Sequence, residues 1–325
     1  MKYLIVEILF TIVVYFCPSL GENLTDLSYL TLTASICKVD EYSSTTSDYG
    51  RLFIRIYSDG TYWKFSVDED GAVEFCKSKL CNPDIGQFIF INGFTANDDN
   101  ARSIRKAILE KGDTCYWEVD VTRAFMAPNY IKAAKNTKPV GTQVGDFVNY
   151  LVLRGFKAEL FHLVGFSLGA HAVAYAAEKF KLLSNGSMVG HATFLDAAKP
   201  CFFGSKTLAT MPYVAAKVDA YHCNAGVFGI ERTVGQADFY VDYGKTYHDK
   251  CPSYYGATVK EGDRCLAIEM NSDSDLANGR NTGKTIVNGY NWDGTWGVYG
   301  FFTGLFPPYC LGATGTKQRT DPPKR

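Results

Sequence analysis

Gly165-Phe166-Ser167-Leu168-Gly169 sets a serine between two glycines, each two residues away. This is the G-x-S-x-G spacing of a nucleophile elbow, where a sharp strand-to-helix turn lifts the serine hydroxyl above the sheet. A serine hydroxyl needs a base to take its proton and a carboxylate to orient that base. It also needs N–H donors for the charge that builds on the attacked carbonyl oxygen. A set of that kind performs acyl transfer. Asp196 is the candidate carboxylate, because it ends the apolar run Ala192-Thr193-Phe194-Leu195 and follows Ser167 in the chain. The candidate oxyanion donors are the N–H groups of Leu168, next after the nucleophile, and of Phe94, in the loop after an earlier strand. Five histidines are present. His162, His171 and His191 precede Asp196 and read as structural. His222 ends an apolar strand, and His248 lies in the loop after the last core strand. These two are the candidate bases, with His248 the better placed, and geometry decides between them.

The flanking sequence supplies elements that could hold this set. Apolar β-type residues 160–164 lead into the elbow, and residues 170–181 form a helical run after it. Short apolar stretches at 87–92, 115–121, 188–195, 214–222 and 237–243 read as further strands. Val140, Val144, Phe147, Val148 and Leu151 share one helix face, which Gly155 can terminate. Strands alternating with helices predict an α/β fold, a mostly parallel central sheet with helices on both faces, and the serine elbow makes the α/β-hydrolase type the expectation. The site then belongs at the carboxyl ends of the strands. Residues 29–37, 51–57 and 61–67 read as more β-like and antiparallel. The region after Leu266 is rich in Gly and Asn and weakly patterned.

The 325 residues suffice for a large core, with 46% hydrophobic and 21% charged residues. A net charge of −1 gives no electrostatic footprint for nucleic acid. Residues 1–21 read as a signal peptide, with Lys2 leading an apolar stretch and Ser19-Leu20-Gly21 as the cleavage site. Residues 22–315 read as one domain, and 316–325 as a polar, disordered tail. Asn23-Leu24-Thr25 and Asn185-Gly186-Ser187 are glycosylation sequons and fit a secreted, extracellular protein. Beyond Cys17, nine cysteines remain, so in an oxidising compartment most pair and at least one is left over. Cys76-x4-Cys81 stands without a second Cys or His pair, so no metal site is expected. Nor does any motif call for a cofactor.

Seven segments in order carry a family resemblance: Asn92-Gly93-Phe94-Thr95, Val119-Asp120, Asn136-Thr137 with Val140-Gly141, His162 to His171, Leu195 to Pro200, Val218 to His222 and Gly235 to Tyr240. Over about residues 85–265 the chain resembles the pancreatic-lipase superfamily, and within it the phospholipase A1 branch. The resemblance implies Ser167 as nucleophile, Asp196 as acid and a Cys251–Cys265 pair stapling a shortened lid loop. It places the family's catalytic histidine at position 267, which is Ala267. The family's His-Gly-Phe oxyanion loop reads Asn92-Gly93-Phe94, and two other family histidines are Phe166 and Gln236. The implied function is hydrolysis of carboxyl esters in lipids or phospholipids, with peripheral contact at lipid surfaces. His248, which has no family counterpart, or His222, whose family counterpart is non-catalytic, would have to serve as base. The alternative is a silent homologue that binds lipid or a partner, by analogy with insect yolk proteins of the same family.

Overall fold

The computed structural model describes residues 37, 39, 49–58, 60–272, 275 and 280–317. The expected signal peptide, Asn23 and residues 318–325 lie outside these, as does the expected strand at 29–37 except for Cys37. Thr316 and Lys317, the first two residues of the expected tail, are described, and Thr316 is buried.

Among the described residues eleven strands form one sheet in the order β10-β9-β11-β8-β7-β6-β5-β3-β4-β1-β2. The centre is β3 (Gly86–Ile91), β4 (Thr114–Asp120), β5 (Phe161–Phe166), β6 (His191–Leu195), β7 (Lys217–His222) and β8 (Ala237–Val241). These strands and β11 (Gly297–Phe301) pair in parallel. β1 (Phe53–Ser58) and β2 (Thr61–Ser66) add an antiparallel edge, as their sequence suggests. At the other edge β9 (Leu266–Met270) and β10 (Thr285–Val287) run antiparallel. The weakly patterned region after Leu266 thus extends the sheet by three strands. Gly297 and Gly300 weaken the strand signal of β11, but pairing with fully buried β8 decides its conformation.

Side chains along the central strands alternate between two cores, as a period of two requires. Ile89 and Ile91 join one apolar cluster, while Phe88 and Phe90 join the other. The first core packs under α1 (Glu69–Ser78), α3 (Tyr130–Val152) and α4 (Leu168–Leu183). The second packs under α2 (Asp98–Lys111) and α5 (Cys251–Glu261). Asp68, Asn97 and Asn129 cap the first three helices by accepting the N–H groups of Gly71, Asp99 and Lys132. Helices therefore cover both faces of a mostly parallel sheet.

The disulfides correct one expectation. Cys251 bonds Cys223 and Cys265 bonds Cys310, while Cys37–Cys201 and Cys81–Cys115 complete the set among the described residues. Cys251 opens α5 and Cys265 lies beyond its far end. Eleven residues of helix span about 16 Å at about 1.5 Å each, far beyond the Cα separation a disulfide tolerates. The expected Cys251–Cys265 staple is therefore absent. Among the described residues Cys76 is the leftover thiol, half-buried on α1.

Candidate active site

The elbow is built by exclusion of side chains. A Cβ at Gly165 would lie 2.2 Å from the Gly169 carbonyl oxygen, and one at Gly169 would lie 2.0 Å from that of Ile91. Only glycine lets β5, the turn and β3 approach this closely. Ser167 sits at φ 55°, ψ −117°, a strained conformation for a residue with a side chain. Its N–H bonds the Leu195 carbonyl at 2.9 Å, and its own carbonyl accepts from Ala198 N at 3.2 Å, so the ends of β5 and β6 lock the turn. Ser167 occupies the N-cap position of α4 yet makes no side-chain cap bond. The hydroxyl is turned elsewhere, and the first N–H groups of the helix keep their positive end towards the site.

The hydroxyl meets an imidazole. Ser167 Oγ lies 2.9 Å from His248 Nε2, and His248 Nδ1 lies 2.6 Å from Asp196 Oδ2. Asp196 directly follows β6 at φ 45°. Its Oδ1 accepts from the backbone N–H of Cys223 at 2.9 Å, and both oxygens accept from Asn224 N at 3.1 Å. These donors lie just past the end of β7 and pin the carboxylate in full burial. His248 opens a short 3-10 turn, His248–Lys250, that runs into α5. Its ring lies 4.8 Å from Phe166 and 5.7 Å from Phe228, centroid to centroid. Ser167, Asp196 and His248 are thus brought together as their types require.

The loop after β3 completes the floor. A Cβ at Gly93 would fall 2.8 Å from Ser167 Cβ, so this backbone abuts Ser167. Asn92 fixes the loop: its Oδ1 accepts from Gly93 N at 2.8 Å and its Nδ2 donates to Asn97 O at 2.7 Å. Thr95 N donates to Phe125 O at 2.8 Å. Phe94 begins the next turn and Leu168 begins α4, so the two expected oxyanion donors belong to segments flanking Ser167. A cavity of about 230 Å³ opens above, walled by Phe94, Tyr130, Phe166 and Phe228 with Asn97 and Asn100. Asn92→Ala frees the loop, and kcat for ester hydrolysis is expected to fall about ten- to hundredfold with the fold retained. Steady-state kinetics beside a thermal melt check this.

The other histidines are occupied. His171 bonds the Ala198 carbonyl at 2.8 Å and stacks on Phe202. His162 and His191 stack at 3.9 Å near the amino ends of β5 and β6, with His191 bonded to Asp219 and His162 to Thr193. Burial, with His191 and Lys217 nearby, holds the His162 imidazole well below its ordinary pKa. His222, the second candidate base, bonds Asp238 and the Ile230 carbonyl with its two ring nitrogens. Neither nitrogen faces Ser167, so the structure removes it as a base. Ala267 is buried on β9 and paired with Ile286. The sequence reading missed the Cys223 and Asn224 amides, the Asn92 clamp and the Tyr130 and Phe228 walls. Backbone donors leave no mark in sequence, and the walls come from segments far apart in the chain. Among the described residues no cluster of His, Cys, Asp and Glu could hold a metal ion.

The parallel sheet, its covering helices and a serine elbow at the strand ends define an α/β-hydrolase fold. The chain matches the Lipase family over residues 43–257, and it belongs to that family. It is 32% identical over 235 residues to phospholipase A1 4 of Polistes dominula, covering 62% of this chain and 72% of that protein. It is 31% identical over 192 residues to a phospholipase A1 of Vespa velutina, covering 53% and 60%. Human pancreatic triacylglycerol lipase is 35% identical over 123 residues, which is 35% of this chain and 25% of that protein.

Proposed function

We propose that the protein hydrolyses carboxyl esters of lipids, phospholipids before triacylglycerols, with Ser167 as nucleophile, His248 as base and Asp196 as the orienting acid. The observation that carries this reading is the single imidazole bonded to both Ser167 and Asp196. His248 Nδ1–H donates to Asp196, which leaves Nε2 to accept the Ser167 proton as Oγ attacks the ester carbonyl. The N–H groups of Phe94 and Leu168 receive the oxyanion. The His248 proton then passes to the departing alcohol oxygen, leaving an acyl-serine. Water, deprotonated by the same ring, releases the fatty acid and restores Ser167. The aromatic walls suit an acyl chain. The larger share of the phospholipase A1 relatives that aligns with this chain supports the phospholipid preference. Four disulfides suit an oxidising, extracellular setting, and exposed Asn185 suits glycosylation there.

A fluorophosphonate probe tests the base. The expected result is a mass adduct on Ser167 in the intact protein and none in Ser167→Ala or His248→Ala. An unlabelled Ser167, beside a labelled pancreatic lipase, would overturn the reading in favour of a silent, lipid-binding homologue.

A further inference from the structure

His222 is buried and lies one residue before the amides that hold Asp196. Its Nδ1 is 2.8 Å from the Ile230 carbonyl oxygen, and its Nε2 is 2.8 Å from Asp238 Oδ1. A carbonyl oxygen accepts only, and so does an ionised carboxylate. A neutral imidazole carries one N–H and could satisfy one of the two. Both Asp238 oxygens already accept from backbone donors: Val234 N at 2.8 Å and Gly235 N at 3.2 Å on Oδ1, and Gly235 N at 3.2 Å on Oδ2. The proton therefore belongs on the ring, and both ring nitrogens donate.

We infer that His222 is a standing imidazolium, and that its buried ion pair with Asp238 is the positioning device that sets the Asp196 carboxylate and the loop over it. This rests on the assignment of Asp196 to the triad. The pair connects β7 and β8 to residues 223–235. That segment supplies the Cys223 and Asn224 donors and carries Phe228 into the substrate cavity. It also presses against the acid, because a Cβ at Gly229 would lie 2.1 Å from Asp196 Oδ1. Ile230 N bonds the Ala197 carbonyl at 2.9 Å, and Tyr240, stacked on His222 at 4.3 Å, donates its hydroxyl to the Glu231 carbonyl. One charged ring thus holds both ends of the loop. Burial pushes the imidazole pKa down, but the bond and charge of Asp238, the Ile230 carbonyl and the charge of Asp196 outweigh it, and the net shift is upward.

The groups facing the ring are Asp238 on β8, Asp196 after β6, the phenol of Tyr240 and the Ile230 carbonyl. With the folded pKa raised above an unfolded value of about 6.5, the pair stabilises the fold fully below that pH. The contribution fades as pH rises through the folded value.

Histidine-selective ¹⁵N labelling of the intact protein tests the charge without relying on turnover. At about pH 6 and below, His222 is expected to show a proton on both ring nitrogens. A ring with one proton at about pH 6 would overturn the inference, whether or not the protein hydrolyses esters. His222→Gln tests the positioning role. It removes a positive charge beside the triad, so protonating the site's base becomes easier, and the acid limb of the kcat/KM profile is expected to move to higher pH. Relaxation of the loop lowers kcat about ten- to hundredfold, with KM changing less. A folded variant with wild-type kcat and an unmoved acid limb would overturn it. If wild type shows no turnover, the ¹⁵N spectra still decide the charge. The His248 resonances in those spectra then replace the acid limb.

Discussion

Replacing His248 with alanine is expected to lower kcat for lipid ester hydrolysis by about 10⁵- to 10⁶-fold, to the residue left by oxyanion donors and binding alone. The ring is the only histidine bonded to Ser167, and its partner bond to Asp196 is short for an N–H···O contact. Among the described residues no other imidazole is bonded to the Ser167 hydroxyl. The fold should survive, because the ring is partly exposed and mounted on a short turn rather than in a core. Adding Ala267→His to this variant is expected to restore nothing. Position 267 lies in the packed second core between β9 and its neighbours, and an imidazole there would be buried without reaching Ser167. Titration of released fatty acid, with circular dichroism as a folding control, reads both variants. Hydrolysis undiminished in His248→Ala would remove the triad from this protein.

Gly169→Ala is expected to cost at least about 4 kcal/mol of stability, or to prevent folding. Two effects oppose each other. Gly169 is a helical residue in α4, and alanine in a helix gains about 1 kcal/mol over glycine. Against that, the new methyl would stand 2.0 Å from the Ile91 carbonyl oxygen and 2.6 Å from that of Asn92. Both obstacles are backbone, so no rotamer change relieves them, and separating β3 from the elbow disturbs the central sheet. Overlap on that scale exceeds the propensity gain several times over. Denaturant unfolding compares the variant with wild type. A midpoint equal to or above wild type would show that the strand and elbow are not packed as described.

Much of the site was legible because its logic is local. Gly165, Ser167 and Gly169 lie within five residues of one turn, and Asp196 closes a recognisable apolar strand. His248 could be nominated from its place after β8, but two candidates remained until the ring contacts of His222 and His248 were visible. The parallel centre of the sheet announced itself through apolar runs such as Gln87-Phe88-Ile89-Phe90-Ile91, which are buried on both faces. The three strands after Leu266 did not: β11, for one, draws its conformation from β8 rather than from its own Gly-Val-Tyr-Gly-Phe sequence. Disulfide partners are the clearest case of what local sequence omits. The Cys251–Cys265 pairing came from resemblance, and the helix between the two residues rules it out. A thiol's partner depends on distances between strands that only the assembled sheet defines.

The Cys223–Cys251 bond has a consequence for where this chemistry can run. Cys223 gives its N–H to Asp196, and Cys251 lies three residues past His248. The crosslink therefore ties the mount of the acid to the mount of the base. With thiols in place of that bond, the two mounts lose this covalent tie and keep the His248–Asp196 hydrogen bond and the intervening chain. An oxidising setting, which preserves that bond, is the one in which the Ser167, His248 and Asp196 arrangement is fully braced.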